Sequence, residues 1–165
     1  GAVVLDESFD RVGGADNPLT ELAIRSGGRI LIVGDFTTYN GLNRVRLARV
    51  FPNWDLDKSF DPGIGPDFTV NSVEILANGY VVVGGDFDLF NLKPAAGIVL
   101  LDSSGKLVED FAVGEGFDGS VKKVVAQPDL SIIVAGLFTR YQDQVVNRVT
   151  RIKLAGSRDE GFKIA

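Results

Sequence analysis

Val33-Gly34-Asp35-Phe36-Thr37-Thr38-Tyr39 returns as Gly84-Gly85-Asp86-Phe87-Asp88-Leu89-Phe90, and again as Ala135-Gly136-Leu137-Phe138-Thr139-Arg140-Tyr141, each copy 51 residues after the last. The same step separates Phe9, Phe60, Phe111 and Phe162. It runs through the chain without insertion or deletion. A fixed period of this length marks an array of supersecondary units, none able to bury its apolar face alone. The units span approximately residues 13–63, 64–114 and 115–165 of a single repeat domain, 1–165. Residues 1–12 are a partial unit that aligns with 154–165: Asp6 matches Asp159, Glu7 matches Glu160 and Phe9 matches Phe162. The spare fragment can complete a neighbouring chain or close a ring within this one.

The middle unit shows what each unit is made of. Val70 to Leu76 is apolar at alternate positions, as in a half-buried strand. Asn78-Gly79 is a hairpin signal, and Tyr80 to Gly84 is a β-branched run of the kind buried on both faces. Asp88 to Ala96 reads as a loop, Gly97 to Leu101 as a third strand, Ser103 to Lys106 as a turn, and Leu107 to Phe111 as a short fourth strand. The first unit repeats these parts at Leu22 to Ile24, Arg29 to Val33 and Val45 to Phe51. The third repeats them at Val121 to Ala126, Ser131 to Ala135 and Arg148 to Leu154. No stretch keeps a 3.6-residue period bounded by caps. The expected fold is all-β, with four strands in each of three repeats.

Composition narrows function by exclusion. The net charge of −5 and pI near 4.7 give no general attraction for nucleic acid or an anionic membrane. No apolar run is long enough to span a bilayer. The chain has no Cys, hence no disulfide or thiol chemistry, and no His, the usual general base and commonest metal ligand. With no Met either, residue 1 reads as the start of a processed form, an excised domain or a trimmed product.

The repeat itself sorts the candidate site residues. Gly34, Gly85 and Gly136, with Phe36, Phe87 and Phe138, hold in every copy and read as packing. So does the series Tyr39, Phe90, Tyr141. Asp35 and Asp86 could serve as metal ligands or carboxylate catalysts, but the third copy carries Leu137 there. Arg46-Leu47-Ala48-Arg49 recurs as Arg148-Val149-Thr150-Arg151, while the middle unit has Gly97-Ile98-Val99-Leu100. These arginines suit pairing with acids between units, or an anion or sugar-acid contact. Trp54 stands where the other copies have Gly105 and Gly156, and suits a sugar ring or a protein partner. Trp54, Arg46, Arg49, Arg148 and Arg151 are therefore the candidate ligand-binding residues. The acidic stretches 6–10 and 55–61 invite calcium but lack the loop glycine and terminal Glu of a calcium loop. No nucleotide, phosphate or nucleophile-elbow motif is present, and no catalytic residue or cofactor is assigned.

The run from Val33 to Gly63, with its Gly-Asp-Phe-Thr-Thr-Tyr, Arg-Leu-Ala-Arg and Leu-Asp-Lys-Ser-Phe-Asp-Pro-Gly pieces, resembles the delta-60 repeat, a β-propeller-forming family. The likeness extends over the chain and is weaker in the second unit, which lacks Arg-x-x-Arg. It implies propeller blades in large secreted or cell-surface bacterial proteins or phage virions, and no catalytic residues. Propellers have four to eight blades, so three units would close only with a second chain, as six blades across a dimer, or within a longer array. A β-trefoil is the other arrangement of three four-stranded units. The expected function is a non-catalytic structural and interaction module, self-associating or bound to protein partners. A glycan-binding module is the alternative, and a carboxylate-dependent glycosidase a third reading.

Overall fold

The computed structural model describes residues 13–25 and 27–163. Among them there is no helix, and fifteen short strands repeat one plan three times. The first unit comprises β1 (Leu19–Ile24), β2 (Ile30–Gly34), β3 (Thr38–Tyr39), β4 (Leu42–Asn43) and β5 (Leu47–Val50). The second has β6 (Val70–Ile75), β7 (Val81–Gly85), β8 (Leu89–Phe90), β9 (Lys93–Pro94) and β10 (Ile98–Leu101). The third has β11 (Val121–Ala126), β12 (Ile132–Gly136), β13 (Arg140–Tyr141), β14 (Gln144–Val145) and β15 (Val149–Ile152).

Each unit is a three-stranded antiparallel sheet with its most apolar strand in the centre, in the orders β1-β2-β5, β6-β7-β10 and β11-β12-β15. The central strands are Val/Ile-rich because both faces are covered: β7 is buried at all five positions. A single antiparallel bridge adds the fourth segment, Val50 to Leu56, Leu101 to Leu107 and Ile152 to Arg158. The fourth strand expected over Leu107 to Phe111 is thus reduced to one pair. The chain leaves the sheet at once because Phe111 turns into the core of the next layer. The segment Asp88 to Ala96, expected as a loop, contains the two-residue hairpin β8-β9.

The recurring glycines have a steric cause. A β-carbon on Gly34, Gly85 or Gly136 would overlap the carbonyl oxygen of Pro18, Thr69 or Ser120 respectively. Those carbonyls come close because each first strand shifts register opposite the glycine, between Leu19 and Glu21, Val70 and Ser72, Val121 and Lys123. The bulge lets the carbonyl accept the N–H of Asp35, Asp86 or Leu137 at 2.8–3.0 Å. At Leu76 to Tyr80 the hairpin closes through Gly79 N–H to Leu76 O at 2.8 Å, with Gly79 at φ 83°. This is a turn followed by a left-handed glycine, not a two-residue Asn-Gly loop.

Sheets of neighbouring units stack face to face, so the core lies in layers: two fill the seams, and a third, Ile32, Phe36, Tyr39, Ala48 and Val50, lies on the other face of the first blade. Leu31, Val33, Leu47 and Phe60 of the first unit share one cluster with Val70, Val73, Phe87, Phe90 and Leu101 of the second. Val82, Ile98, Leu100 and Phe111 of the second share the next with Val121, Val124, Phe138, Tyr141 and Ile152 of the third. Phe9, which the 51-residue step makes equivalent to Phe60 and Phe111, lies outside the described residues.

Candidate functional site at the seams between units

The two seams are held by the same contacts, repeated at the 51-residue step. At the inner strands the Thr20 hydroxyl donates to the Val70 carbonyl at 2.6 Å, and Asn71 Nδ2 donates to the Val121 carbonyl at 2.9 Å. Beside them Thr69 Oγ1 donates to Asp35 Oδ1 at 2.6 Å. In the second seam Ser120 Oγ donates to Asp86 Oδ1, which also accepts from Asn71 Nδ2 at 2.7 Å and Lys122 Nζ at 3.1 Å. Burial opposes the charge on Asp86, but the bonds from Ser120, Lys122 and Asn71 outweigh it and hold the carboxyl below its usual range. At the outer edge the Asp61 N–H donates to Ser104 O at 2.8 Å and the Ala112 N–H to Ala155 O at 3.0 Å.

The first and third units also touch. Glu21, Ser72 and Lys123 occupy the same repeat position. Glu21 Oε2 accepts from Ser72 Oγ at 2.6 Å and from the Val73 N–H at 2.8 Å, while Lys123 Nζ reaches its other oxygen. Contact between residues two units apart requires the array to curve, with the first strands on the inside.

A family model for a domain of unknown function (DUF5122), described as a β-propeller, matches residues 26–60 and 127–162. The units are β-propeller blades. In a trefoil, strands of different units share one barrel, whereas every sheet of the described residues stays within its unit. No curated protein matches the chain.

The blades divide the sequence candidates into two groups. Arg49 is buried and belongs to the structure of its own blade and the first seam. Its Nε meets Asp57 Oδ2 at 2.8 Å, Nη1 donates to Ser103 O of the next blade at 2.7 Å, and Nη2 to Ser59 Oγ at 3.1 Å. The guanidinium lies 4.8 Å from the Phe60 ring centre. Arg151 repeats the arrangement, with Asp159 Oδ2 at 2.6 Å from Nη2 and the Phe162 ring at 5.2 Å. Arg46 Nη1 donates to the Pro66 carbonyl across the first seam at 3.2 Å. Arg148, its equivalent, is exposed on the outer face of the third blade.

Trp54 sits at φ 66° in the turn after β5, where Gly105 and Gly156 take φ 95° and 87°. Its carbonyl accepts the Tyr39 hydroxyl at 3.0 Å, and its side chain packs on the cluster of Ile32, Phe36, Tyr39, Ala48 and Val50. The glycines are required in the later blades: a β-carbon on Gly105 would stand 2.9–3.1 Å from the Asp61 backbone, and one on Gly156 2.8–3.0 Å from the Ala112 backbone. The first blade turns this position away from both internal seams. Trp54 and the Arg49 pair therefore do not converge on one site.

The most regular polar device escaped motif reading. Asp16, Asp67 and Asp118 lie 51 apart and each holds the turn before the small hairpin. Asp16 accepts the Thr37 and Thr38 N–H groups at 2.8 and 2.9 Å, and Asp118 accepts those of Thr139 and Arg140 at 2.7 and 2.8 Å. The hydrogen bond from the Thr37 hydroxyl leads in lowering the Asp16 pKa to about 2. Aligning all acids at the 51-residue step would have found the set. Of the acidic stretches considered for calcium, 6–10 lies outside the described residues. In the other, Asp57 is taken up by Arg49, Arg29 and Ser59. Among the described residues no cluster of three or more His, Cys, Asp or Glu could hold a metal ion.

Proposed function

We propose that this propeller-blade array is a non-catalytic structural and interaction module, acting through protein contacts at its blade faces. The observation that carries the proposal is the use made of the carboxylates. Asp16, Glu21, Asp57, Asp86, Asp102, Asp118, Asp129 and Asp159 are all held below the usual range by hydrogen bonds that fix turns and seams. A glycosidase acid needs the opposite shift, upward, so that it carries a proton at working pH. The acids engaged here do the work of scaffold. The exposed apolar residues at the two ends of the array support association as the use of the surface. The resemblance to delta-60 repeats supports a place in a secreted, cell-surface or virion protein. Incubation with a panel of polysaccharides and assay of reducing ends tests the reading. No turnover is expected, and hydrolysis abolished by an Asp-to-Asn change would overturn it.

A glycan-binding reading has one observation of its own. A groove of about 270 Å³ runs along the second seam, lined by Asp86, Asp88, Asp118 and Ser120. Carboxylates of this kind accept sugar hydroxyls. Glycan-array binding lost on Asp88→Ala would favour it over protein association.

A further inference from the structure

We propose that the groove along the second seam takes an arginine side chain presented by a partner protein, its guanidinium filling the place that Arg46 fills in the first seam. The proposal rests on the interaction-module reading and names the chemistry of one contact.

The two seams stack the same loops. A β-carbon on Gly65 would crowd the Val45 carbonyl, and one on Gly116, at the next step of the repeat, would overlap Ala96. In the first seam Arg46, the residue after Val45, crosses to the second blade, where its Nη1 donates to the Pro66 carbonyl at 3.2 Å. Arg46 takes φ 60° and its Nε is fully covered. In the second seam the equivalent of Arg46 is Gly97, at φ 84°, and the equivalent of Pro66 is Phe117. The backbone keeps the conformation that aims a side chain across the seam, but carries none. A β-carbon on Gly97 would stand 3.3 Å from both the Gly85 carbonyl oxygen and Val121 Cγ2, facing the third blade. What remains there is the groove of about 270 Å³, lined by Asp86, Asp88, Gly97, Phe117 and Asp118.

Charge has changed together with shape. Asp88 stands where the first and third blades carry Thr37 and Thr139. Those threonines donate their hydroxyls to Asp16 and Asp118. An ionised carboxylate has no proton to donate, so the middle blade gives up that bond to Asp67 and sets a second acid in its place. Compared with the first seam, the groove lacks an arginine and carries an added acid. Asp86 is answered by Lys122 at 3.1 Å. Asp88 and Asp118 are exposed and meet no lysine or arginine among the described residues. A guanidinium presents five N–H donors in a planar fork, which lets one group reach carboxylates and a backbone carbonyl together. A lysine ammonium is a compact charge without that fork, and a neutral sugar leaves the carboxylates without a counter-charge. The vacated place and the added acid lie in one groove, and an incoming arginine complements both.

Titration of the isotope-labelled chain with a blocked Gly-Arg-Gly peptide, followed through its backbone amide NMR signals, tests the proposal. Saturable shifts are expected at Asp88, Gly97, Gly119 and Ser120. The same peptide with citrulline, which keeps the shape and loses the charge, is expected to give none, and the lysine peptide a weaker response. Gly97→Arg copies the first seam, so it is expected to fold and to abolish the response by filling the groove itself. Asp88→Thr copies the other two blades and is expected to weaken binding about fivefold, as for loss of one exposed ion pair. Absence of saturable shifts in the groove overturns the proposal. So does an equal response to the citrulline or lysine peptide, or unchanged binding by Asp88→Thr. Shifts of these amides with neutral monosaccharides and not with the arginine peptide overturn it in favour of the glycan-binding reading. None of these results bears on the non-catalytic reading, which fails only on turnover.

Discussion

Arg49 is a buried cation, and the molecule shows twice how such a charge is tolerated. Asp57 and Asp159 neutralise Arg49 and Arg151, and aromatic rings cover the guanidinium planes. The middle blade solves the same problem without charge, with Leu100 and Val108 at the two equivalent positions. Removing one partner of a buried pair strands the other and costs about 3–5 kcal/mol, while replacing both by apolar residues is close to neutral. Asp57→Val alone is therefore expected to lower stability by about 3 kcal/mol in urea denaturation. Arg49→Leu with Asp57→Val, which copies the middle blade, should recover most of the loss, and a double mutant as unstable as the single would contradict the pairing. The Arg-x-x-Arg recurrence was visible in the sequence, but its partner was not: Asp57 reaches Arg49 only because the chain turns back after β5. The recurring glycines were equally visible, though the overlap that demands them appears only with the bulged strand in place. Gly85→Ala should cost about 2 kcal/mol or more, since the obstructing atom is backbone carbonyl.

The strands show where sequence patterning carries and where it stops. Central strands were legible because short unbroken apolar runs rich in Val and Ile have few other uses. The hairpins β3-β4, β8-β9 and β13-β14 were not, since two-residue strands leave no periodicity. What fixes them is the Asp16, Asp67 and Asp118 set, whose carboxylates bond the backbone of the turn ahead. These bonds make stability depend on pH with a definite sign. The Asp16 pKa falls from 3.8 unfolded to about 2 folded, and Asp118 moves the same way, led by the Thr139 hydroxyl. A lowered folded pKa adds stability that is fully present above the unfolded value and is lost as pH falls through the folded one. Thermal midpoints should be flat above about pH 5 and drop between about pH 4 and 2. Asp16→Asn with Asp118→Asn should make that drop shallower, the remainder coming from the other lowered carboxylates, and a midpoint that rises on acidification would contradict the assignment.

At the scale of the whole molecule, three blades form two internal seams built from the same contacts 51 residues apart. The period was enough to find the units and their equivalence. It did not show which residues meet across a seam, because Asp35 and Thr69, like Asp86 and Ser120, lie 34 residues apart and pair only once the blades are stacked. Trp54, the most conspicuous departure in the sequence, is a turn residue at φ 66° that packs on the first blade's own cluster of Ile32, Phe36 and Val50. A chain without cysteine allows the seam to be tested by chemistry. Asp35→Cys and Thr69→Cys are introduced together, the protein is oxidised at dilution, and the products are resolved by mass under non-reducing conditions. A monomer bridged internally between residues 35 and 69, with both thiols consumed, is expected, because these side chains meet across the first seam. Failure of that bridge to form, with both thiols still free in a folded protein, would contradict the stacking of the first two blades at this seam.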